Sequence, residues 1–279
     1  MLPFLKWAGG KRWIAPFVDD LYRELQLKSV VEPFCGAGAV SLHIEPEFAI
    51  LNDNNKHLIN LYKWVRSTGL HLTIDTTNSF ENYIRNRDQF NRLIESGRWN
   101  EHQAAELFYY LNRTCFNGLC RFNQGKGHFN VGYGKYKKPY IAKNLVEYKE
   151  LLGDIEITSE SFVDIIKRYV DDALVFIDPP YYKTFTGYSE TPFTLDDQRV
   201  LAKASGECTS PVVATNSFEP EIVNMYKENG FDVFYYLARR TIACDGQRQR
   251  VREMVAFKNI PLNIVKEKAK LNKIELYPA

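Results

Sequence analysis

The 279-residue chain lacks the long apolar segments and the paired cysteines that mark several large classes of protein. It has no run of about eighteen apolar residues, and its opening text, MLPFLKWAGGKRW, does not follow the signal-peptide pattern. Its five cysteines, at positions 35, 115, 120, 208 and 244, include no CxxC pair with zinc-site spacing. We therefore expect a cytoplasmic protein with reduced thiols, no membrane segment and no required metal ion.

The sequence also lacks repeats, low-complexity tracts and a strong net charge. A formal net charge of +2 indicates no partner by itself. Two stretches, around 121–143 and 239–252, are locally basic. Because charge clusters are most often solvated faces, these stretches indicate nucleic acid only if other features agree.

Hydrophobic patterning predicts a parallel α/β sheet that is interrupted in the middle of the chain. The first third alternates helix and strand, with helices at 14–25 and 55–67 and strands at 28–34 and 48–53. Strand patterns return after residue 150, at 154–162, 172–182, 210–218, 231–240 and 251–259. This alternation is typical of an α/β sheet with helices on both faces.

The interrupting segment has a different character. It is polar and helical at 79–97 and 101–114, and it is rich in glycine, asparagine and aromatics at 116–136, as in a hairpin or structured loop. We predict a catalytic domain from 1–70 and 151–260, an inserted, mostly helical module with a β-hairpin at 71–150, and a tail at 261–279.

The stretch ALVFIDPPYY, residues 173–182, reads as a buried strand that ends abruptly. Pro179 and Pro180 cannot extend a sheet, so the chain leaves the strand in a stiff turn. Ligands of open α/β sheets bind at the carboxyl ends of strands. Asp178 is therefore placed on a rigid mount beside a crevice, with Tyr181 and Tyr182 next to it.

A second turn, in VVEPFCGAGAV at 30–40, follows the first predicted strand. Gly36 and Gly38 allow the backbone to approach a ligand closely. The dinucleotide pattern GxGxxG is incomplete because Ser41 stands at its last glycine, and GGKR at 9–12 is not a P-loop. Asp53 ends the next strand where an acidic residue binds ribose hydroxyls, which fits an adenosine-containing ligand without a pyrophosphate.

Six motifs, taken together and in order, resemble the Dam-type (α-class) adenine-N6 DNA methyltransferases. They are FLKWAGGK, EPFCGAG, LND, LNRTCFNGLCRFN, FNVGYGKYKKP and DPPY. The resemblance extends to about residue 258 and implies a Rossmann-like methyltransferase sheet, S-adenosylmethionine (SAM) as cofactor and double-stranded DNA as substrate. It implies N6-adenine methylation by base flipping, with GATC as the favoured site, by an enzyme of a restriction-modification system, an orphan enzyme or a phage-encoded one. We expect a monomer in solution.

The resemblance also implies roles for individual residues. The Asp178 carboxylate and the Pro179 carbonyl accept hydrogen bonds from the adenine amine, Pro180 stiffens the turn, and Tyr181 is the ring on which the flipped base stacks. For Tyr182, stacking and core packing are equally open. The expected cofactor residues are Trp7, Lys11, Phe34, Gly36, Gly38, Asp53, Ser161, Phe162 and Asp178.

The inserted module is expected to read DNA, since it combines the residue types that pair with bases and neutralise phosphates. The resemblance implies that Arg121 reads a guanine, that Phe116 and Asn117 lie near the displaced base step, and that Lys6 contacts a flanking base. Expected phosphate contacts are Arg113, Asn123, Lys135, Lys137 and Lys138. We also expect the loop at 183–193 to become ordered over bound DNA.

Two alternatives remain open from the sequence. One is a non-catalytic DNA-binding protein that keeps the fold, although intact Asp178, Gly36 and Asp53 speak against it. The other is a methyltransferase acting on RNA or on protein glutamine, although such relatives usually carry Asn at the position of Asp178. A restriction nuclease is disfavoured because no PD-x(D/E)xK-like cluster is present.

Overall fold

A computed structural model describes residues 1–168, 170–182, 193–239 and 250–279. These residues form one eight-stranded sheet with the order β3-β2-β1-β4-β5-β7-β6-β8. The strands are β1 Ser29–Glu32, β2 Phe48–Asn52, β3 Ile155–Thr158, β4 Ala173–Ile177, β5 Val212–Ser217, β6 Asp232–Arg239, β7 Arg250–Lys258 and β8 Tyr277–Pro278.

Strand direction brings the two predicted turns together. Strands β1 to β5 are parallel to one another, whereas β7 is antiparallel to both β5 and β6. The carboxyl ends of β1 to β6 and the amino end of β7 therefore lie along one edge of the sheet. Because β1 and β4 are adjacent and parallel, the turns that follow them lie side by side at this edge.

Alternating side chains of the strands build a core on each face of the sheet. Val30, Leu174 and Phe176 belong to one buried cluster, while Val31 and Val175 belong to the other. Helices cover both faces: α1 Ala15–Glu24, α2 Ser41–Ile44, α3 Lys56–Thr68, α4 Phe80–Glu95, α5 His102–Thr114, α6 Val146–Leu151, α7 Phe162–Lys167, α8 Leu195–Gly206, α9 Pro220–Glu228 and α10 Leu262–Leu271. The predicted strands and the predicted α/β architecture are confirmed.

The segment between α3 and β3 adds helices and a hairpin to the first of these cores. Side chains of α4 and α5 belong to the same buried cluster as side chains of β1 and β2. After α5 comes a short 3-10 turn at Phe116–Gly118, and the chain then folds back through antiparallel bridges at Cys115↔Tyr133 and Phe122↔Phe129. This fold-back confirms the expected hairpin.

The tail at 261–279, which lies beyond the stretch covered by the family resemblance, is folded against the rest of the chain. Lys268 in α10 pairs with Glu24 of α1 at 2.7 Å, and Asn272 donates to Asp20 at 2.6 Å. Strand β8 then pairs with β6 at Phe234 and Tyr235. Helix α10 thus packs against α1, and β8 is the edge strand next to β6, at the end of the sheet opposite β3.

Candidate active site

The turn after β1 is shaped by two glycines and two aromatic side chains. Gly36 and Gly38 have φ values of +47° and +61°, a region that favours glycine. A Cβ on Gly36 would lie 2.7 Å from Nε1 of Trp7, so the indole is packed directly on the glycine backbone. Tyr62 donates to the Gly36 carbonyl at 3.1 Å. The turn at 34–38, called the glycine cradle below, is therefore rigid and narrow.

Asp53 is joined to this cradle. Its Oδ2 accepts the Gly36 N–H at 3.0 Å, and its Oδ1 accepts the Asn55 N–H at 2.9 Å. Burial raises the pKa of the Asp53 carboxyl, and the two N–H donors oppose that rise. Since an ionised carboxylate can accept about four hydrogen bonds, it keeps capacity for ligand hydroxyls.

Three phenylalanines form an aromatic cluster next to the cradle. Phe34 and Phe162 lie with ring centroids 5.3 Å apart, and Phe193 packs against both at 5.6 Å. Ser161 is exposed, and its hydroxyl accepts the Val163 N–H at 3.3 Å as the cap of α7. Sequence reasoning missed Phe193, because this residue lies 31 positions from the nearest of its partners, with no motif linking them.

Asp178, in the turn after β4, is held by two partners. Lys11 Nζ lies 2.7 Å from its Oδ1, and Thr215 Oγ1 donates to the same oxygen at 2.7 Å. Burial raises the pKa of the Asp178 carboxyl, while Lys11 and Thr215 lower it. Lys11 is only 5 % exposed and also donates to the Gly9 carbonyl at 2.8 Å, so the FLKWAGGK motif lies against the DPPY turn.

The prolines of this turn are fixed from behind. Gln198 in α8 donates its side-chain amide to the Pro180 carbonyl at 2.9 Å. Asn216 in β5 donates to Gln198 Oε1 at 2.9 Å. Both amide side chains are buried. Sequence reasoning found neither residue, nor Thr215, because their positions near the turn depend on the order of the strands.

The two tyrosines have different surroundings. Tyr181 places its ring 4.8 Å from the Lys11 ammonium, and its hydroxyl donates to Glu253 Oε2 at 3.3 Å. Tyr182 is half-buried and packs against the second core cluster. The geometry thus places Tyr181 beside Asp178 and gives Tyr182 a packing contact.

The expected DNA-reading residues lie around α5 and the hairpin. Phe116 is 53 % exposed, and Asn117 has φ +54°, so the two residues form a projecting turn. The Lys6 ammonium lies 3.6 Å from the Tyr136 ring centroid, and burial lowers the Lys6 pKa. Arg121 is half-buried on the first arm of the hairpin. Lys135, Lys137 and Lys138 are exposed beyond the second arm.

Two residues expected to contact phosphate have structural contacts of their own. Arg113 donates to the carbonyls of Tyr140 and Phe4, at 2.8 and 3.2 Å. Asn123 Oδ1 accepts the N–H groups of Lys126 and His128, which shapes the hairpin tip. Residues 183–192 and 240–249, which carry most of the loop after DPPYY and of the basic segment at 239–252, lie outside the described residues.

Two features are absent from residues 1–168, 170–182, 193–239 and 250–279. No group of His, Cys, Asp and Glu there is arranged to hold a metal ion. Across the same ranges, no helix has both the length and the apolar character needed to cross a membrane.

The sequence of this chain is similar to those of known methyltransferases. The model of the family "D12 class N6 adenine-specific DNA methyltransferase" matches residues 7–242. The chain is 37 % identical over 272 residues to the DNA adenine methylase of Escherichia coli K12, covering 91 % of this chain and 94 % of that protein. It is 34 % identical over 279 residues to the type II methyltransferase M.MjaIII of Methanocaldococcus jannaschii, covering 89 % and 95 %.

A third relative is much longer than this chain. The DNA N-6-adenine-methyltransferase of Escherichia phage P1 is 35 % identical over 262 residues, which cover 88 % of this chain but 34 % of the phage protein. The chain therefore spans about a third of that relative's length.

Proposed function

The chain belongs to the D12 class of N6 adenine-specific DNA methyltransferases, and from that premise we propose how its site performs the reaction. The site uses S-adenosylmethionine and methylates N6 of an adenine flipped out of double-stranded DNA, at GATC. The observation that carries this proposal is the position of Asp178. It lies on the rigid turn after β4, at the same edge of the sheet as the glycine cradle after the adjacent strand β1.

The residues around the cradle fit an adenosine-containing methyl donor. Asp53 offers acceptor positions to ribose hydroxyls, and the cluster of Phe34 and Phe162 offers apolar faces to an adenine ring. The Trp7 indole packs on Gly36 and forms one wall of the turn. When bound, S-adenosylmethionine would supply the methyl group from its sulfonium.

The turn after β4 binds the N6 amine of the target adenine. The adenine N6 lone pair is delocalised into the ring, so the nitrogen must be held in a geometry that frees it. Lys11 and Thr215 both contact Oδ1 of Asp178, and we assign Oδ2 to accept one amine proton. The Pro179 carbonyl accepts the other, which aims the nitrogen at the methyl donor.

The base must leave the duplex to reach Asp178, because the amine is inaccessible inside the helix. Tyr181 supplies the face on which the base stacks. We assign the projecting turn of Phe116 and Asn117 to the gap left in the duplex, because Phe116 is exposed and the backbone turns at Asn117. We assign Arg121 to a guanine edge, since bidentate arginine contacts with O6 and N7 are the commonest specific contact.

The test is methyl transfer to unmethylated plasmid DNA from radiolabelled S-adenosylmethionine, followed by digestion with nucleases that differ in sensitivity to N6-methylated GATC. We expect label in N6-methyladenine and protection of GATC sites. Asp178→Ala should abolish transfer while DNA affinity stays within about threefold, and normal turnover by that variant would refute the mechanism.

Arg121→Ala tests the readout separately. We expect it to lower discrimination between GATC and sites with a changed guanine by about 1–3 kcal/mol. Lys126→Ala, at the exposed hairpin tip, is the matched control and should keep the wild-type preference. Label in DNA without protection of GATC would leave the chemistry in place and overturn the assigned site.

A further inference from the structure

Glu253, near the amino end of β7, joins a tyrosine of the turn after β4 to a tyrosine of β6. Its Oε2 accepts the hydroxyl of Tyr181 at 3.3 Å and the hydroxyl of Tyr236 at 2.5 Å. Tyr181 belongs to the turn after β4, and Tyr236 is the residue that pairs with Glu253 in the β6–β7 ladder. One carboxylate thus connects the DPPY turn with the antiparallel half of the sheet.

The Tyr236 side chain is held by packing, so its hydrogen bond restrains the Glu253 carboxylate. The Tyr236 side chain is buried. Its ring lies 4.3 Å from the Trp13 ring, at an interplanar angle of 40°. The Trp13 side chain is 43 % exposed and forms the outer end of a row that runs through Tyr236 and Glu253 to Tyr181. This row stands beside the Lys11–Asp178 pair.

The orientation of the Tyr181 ring matters because of where it lies. Its centroid is 4.8 Å from the Lys11 ammonium, and that ammonium is 2.7 Å from Asp178. A base stacked on the ring would therefore have its position relative to Asp178 set by the plane of the ring. Rotation of the ring about its side-chain bonds would break the hydroxyl contact with Glu253.

We propose that Glu253 is a positioning residue for methyl transfer, which holds the Tyr181 ring in the plane on which the flipped adenine stacks and uses Tyr236 as its second anchor. This proposal rests on the proposed function. Losing the anchor lets the ring leave the productive orientation for part of the time. The loss therefore lowers the rate of the bound complex more than the affinity for DNA.

Single-turnover methyl transfer on a GATC duplex tests the proposal. We expect Glu253→Leu to lower the rate about tenfold with DNA affinity unchanged, whereas Glu253→Gln keeps an acceptor oxygen and stays within about twofold. Tyr181→Phe should show the Leu-like loss. The double variant should be no slower than the slower single variant, because both changes remove the contact between Tyr181 and Glu253. Additive losses, or a wild-type rate in Glu253→Leu, would overturn the proposal.

The adjacent tyrosines of β6 provide a matched control. Tyr235 points to the other face, where it stacks on Tyr277 with centroids 5.1 Å apart. Tyr236→Phe should therefore slow transfer while Tyr235→Phe does not. Equal effects of the two changes would count against a specific anchor.

A last readout does not depend on turnover. With 3-fluorotyrosine at position 181, the fluorine resonance should shift in Glu253→Leu, and an unchanged resonance would refute the contact. A wild-type protein that transfers no methyl group would instead overturn the proposed function. The two failures are thereby distinguished.

Discussion

At the scale of single residues, burial of Asp178 disfavours its ionised form, whereas its two partners favour it. Burial raises the pKa of this carboxyl, while the Lys11 ammonium and the Thr215 hydroxyl lower it. An ionised carboxylate is the form that accepts hydrogen bonds from an amine. Activity should therefore fall as the pH drops through the pKa of Asp178, and the partners of Asp178 set where this happens.

Thr215→Val tests this balance with little change of shape. Removing the hydroxyl that donates to Oδ1 at 2.7 Å raises the pKa of Asp178, so the acidic limb of the pH–rate profile should move to higher pH. A hydrogen bond to a charged group is worth about 1.5 kcal/mol, which corresponds to about one pH unit. Single-turnover rates from pH 5 to 9 at saturating cofactor measure the shift, and an unmoved limb would contradict it.

At the scale of structural elements, the DPPY turn is clamped between its neighbours. Strand β5 supplies Thr215 and Asn216, and helix α8 supplies Gln198. The Pro180 carbonyl is bound by Gln198. Prolines stiffen the turn from within, but its placement relative to the cradle comes from the elements packed behind it.

Gln198→Leu should remove the two hydrogen bonds by which Gln198 links the DPPY turn to β5. The change leaves the Pro180 carbonyl and the Asn216 amide without the partners that they have in the native protein, at a cost of about 1–3 kcal/mol in the free energy of unfolding. We expect a lower methyl-transfer rate with DNA affinity unchanged. Urea unfolding and single-turnover rates measure the two effects. Gln124→Leu, at an exposed position, is the control and should change neither.

The sequence predicts the local turns of the site but not the contacts between distant elements. The turns at 33–40 and 178–182 could be predicted because each is encoded locally, by glycines or prolines that follow an apolar run. Glu253 and Thr215 could not be predicted, since they lie 72 and 37 residues from their partners Tyr181 and Asp178. The approach of Thr215 depends on β5 lying next to β4, and that of Glu253 depends on β7 lying between β5 and β6. Hydrophobic patterning specifies neither arrangement.

At the scale of the whole molecule, the packing of the helical segment onto the sheet places a histidine in an aromatic environment. His57 is buried, stacks on Phe122 with ring centroids 4.7 Å apart, and also contacts Phe90 and Phe108. Burial lowers its pKa from 6.5 to about 3. The native protein therefore holds this residue neutral above about pH 3.

Stability should consequently depend on pH through His57. Between pH 6.5 and 3 the unfolded chain binds a proton here that the native chain does not, so the free energy of unfolding falls by up to about 1.4 kcal/mol per pH unit as pH drops. Glu32 acts in the opposite direction. Its pKa is raised by burial to about 7, so its contribution to stability is present below about pH 4.5 and is lost as pH rises through 7.

His57→Phe isolates the histidine contribution. Relative to wild type, the variant should gain stability progressively as the pH falls from 7 to 5.5, measured by urea unfolding. His71→Phe, at an exposed position, should leave the pH dependence unchanged. Parallel pH curves for His57→Phe and the wild type would contradict a neutral buried histidine.

The outermost strand of the sheet has a consequence for how these molecules behave in a crowded solution. Strand β8 is two residues long, and the second of them, Pro278, has no N–H to offer to an incoming strand. A longer flat edge at the same place would be a template for strand addition from another chain. Where β8 lies along β6, this short strand and its proline therefore guard against edge-to-edge aggregation.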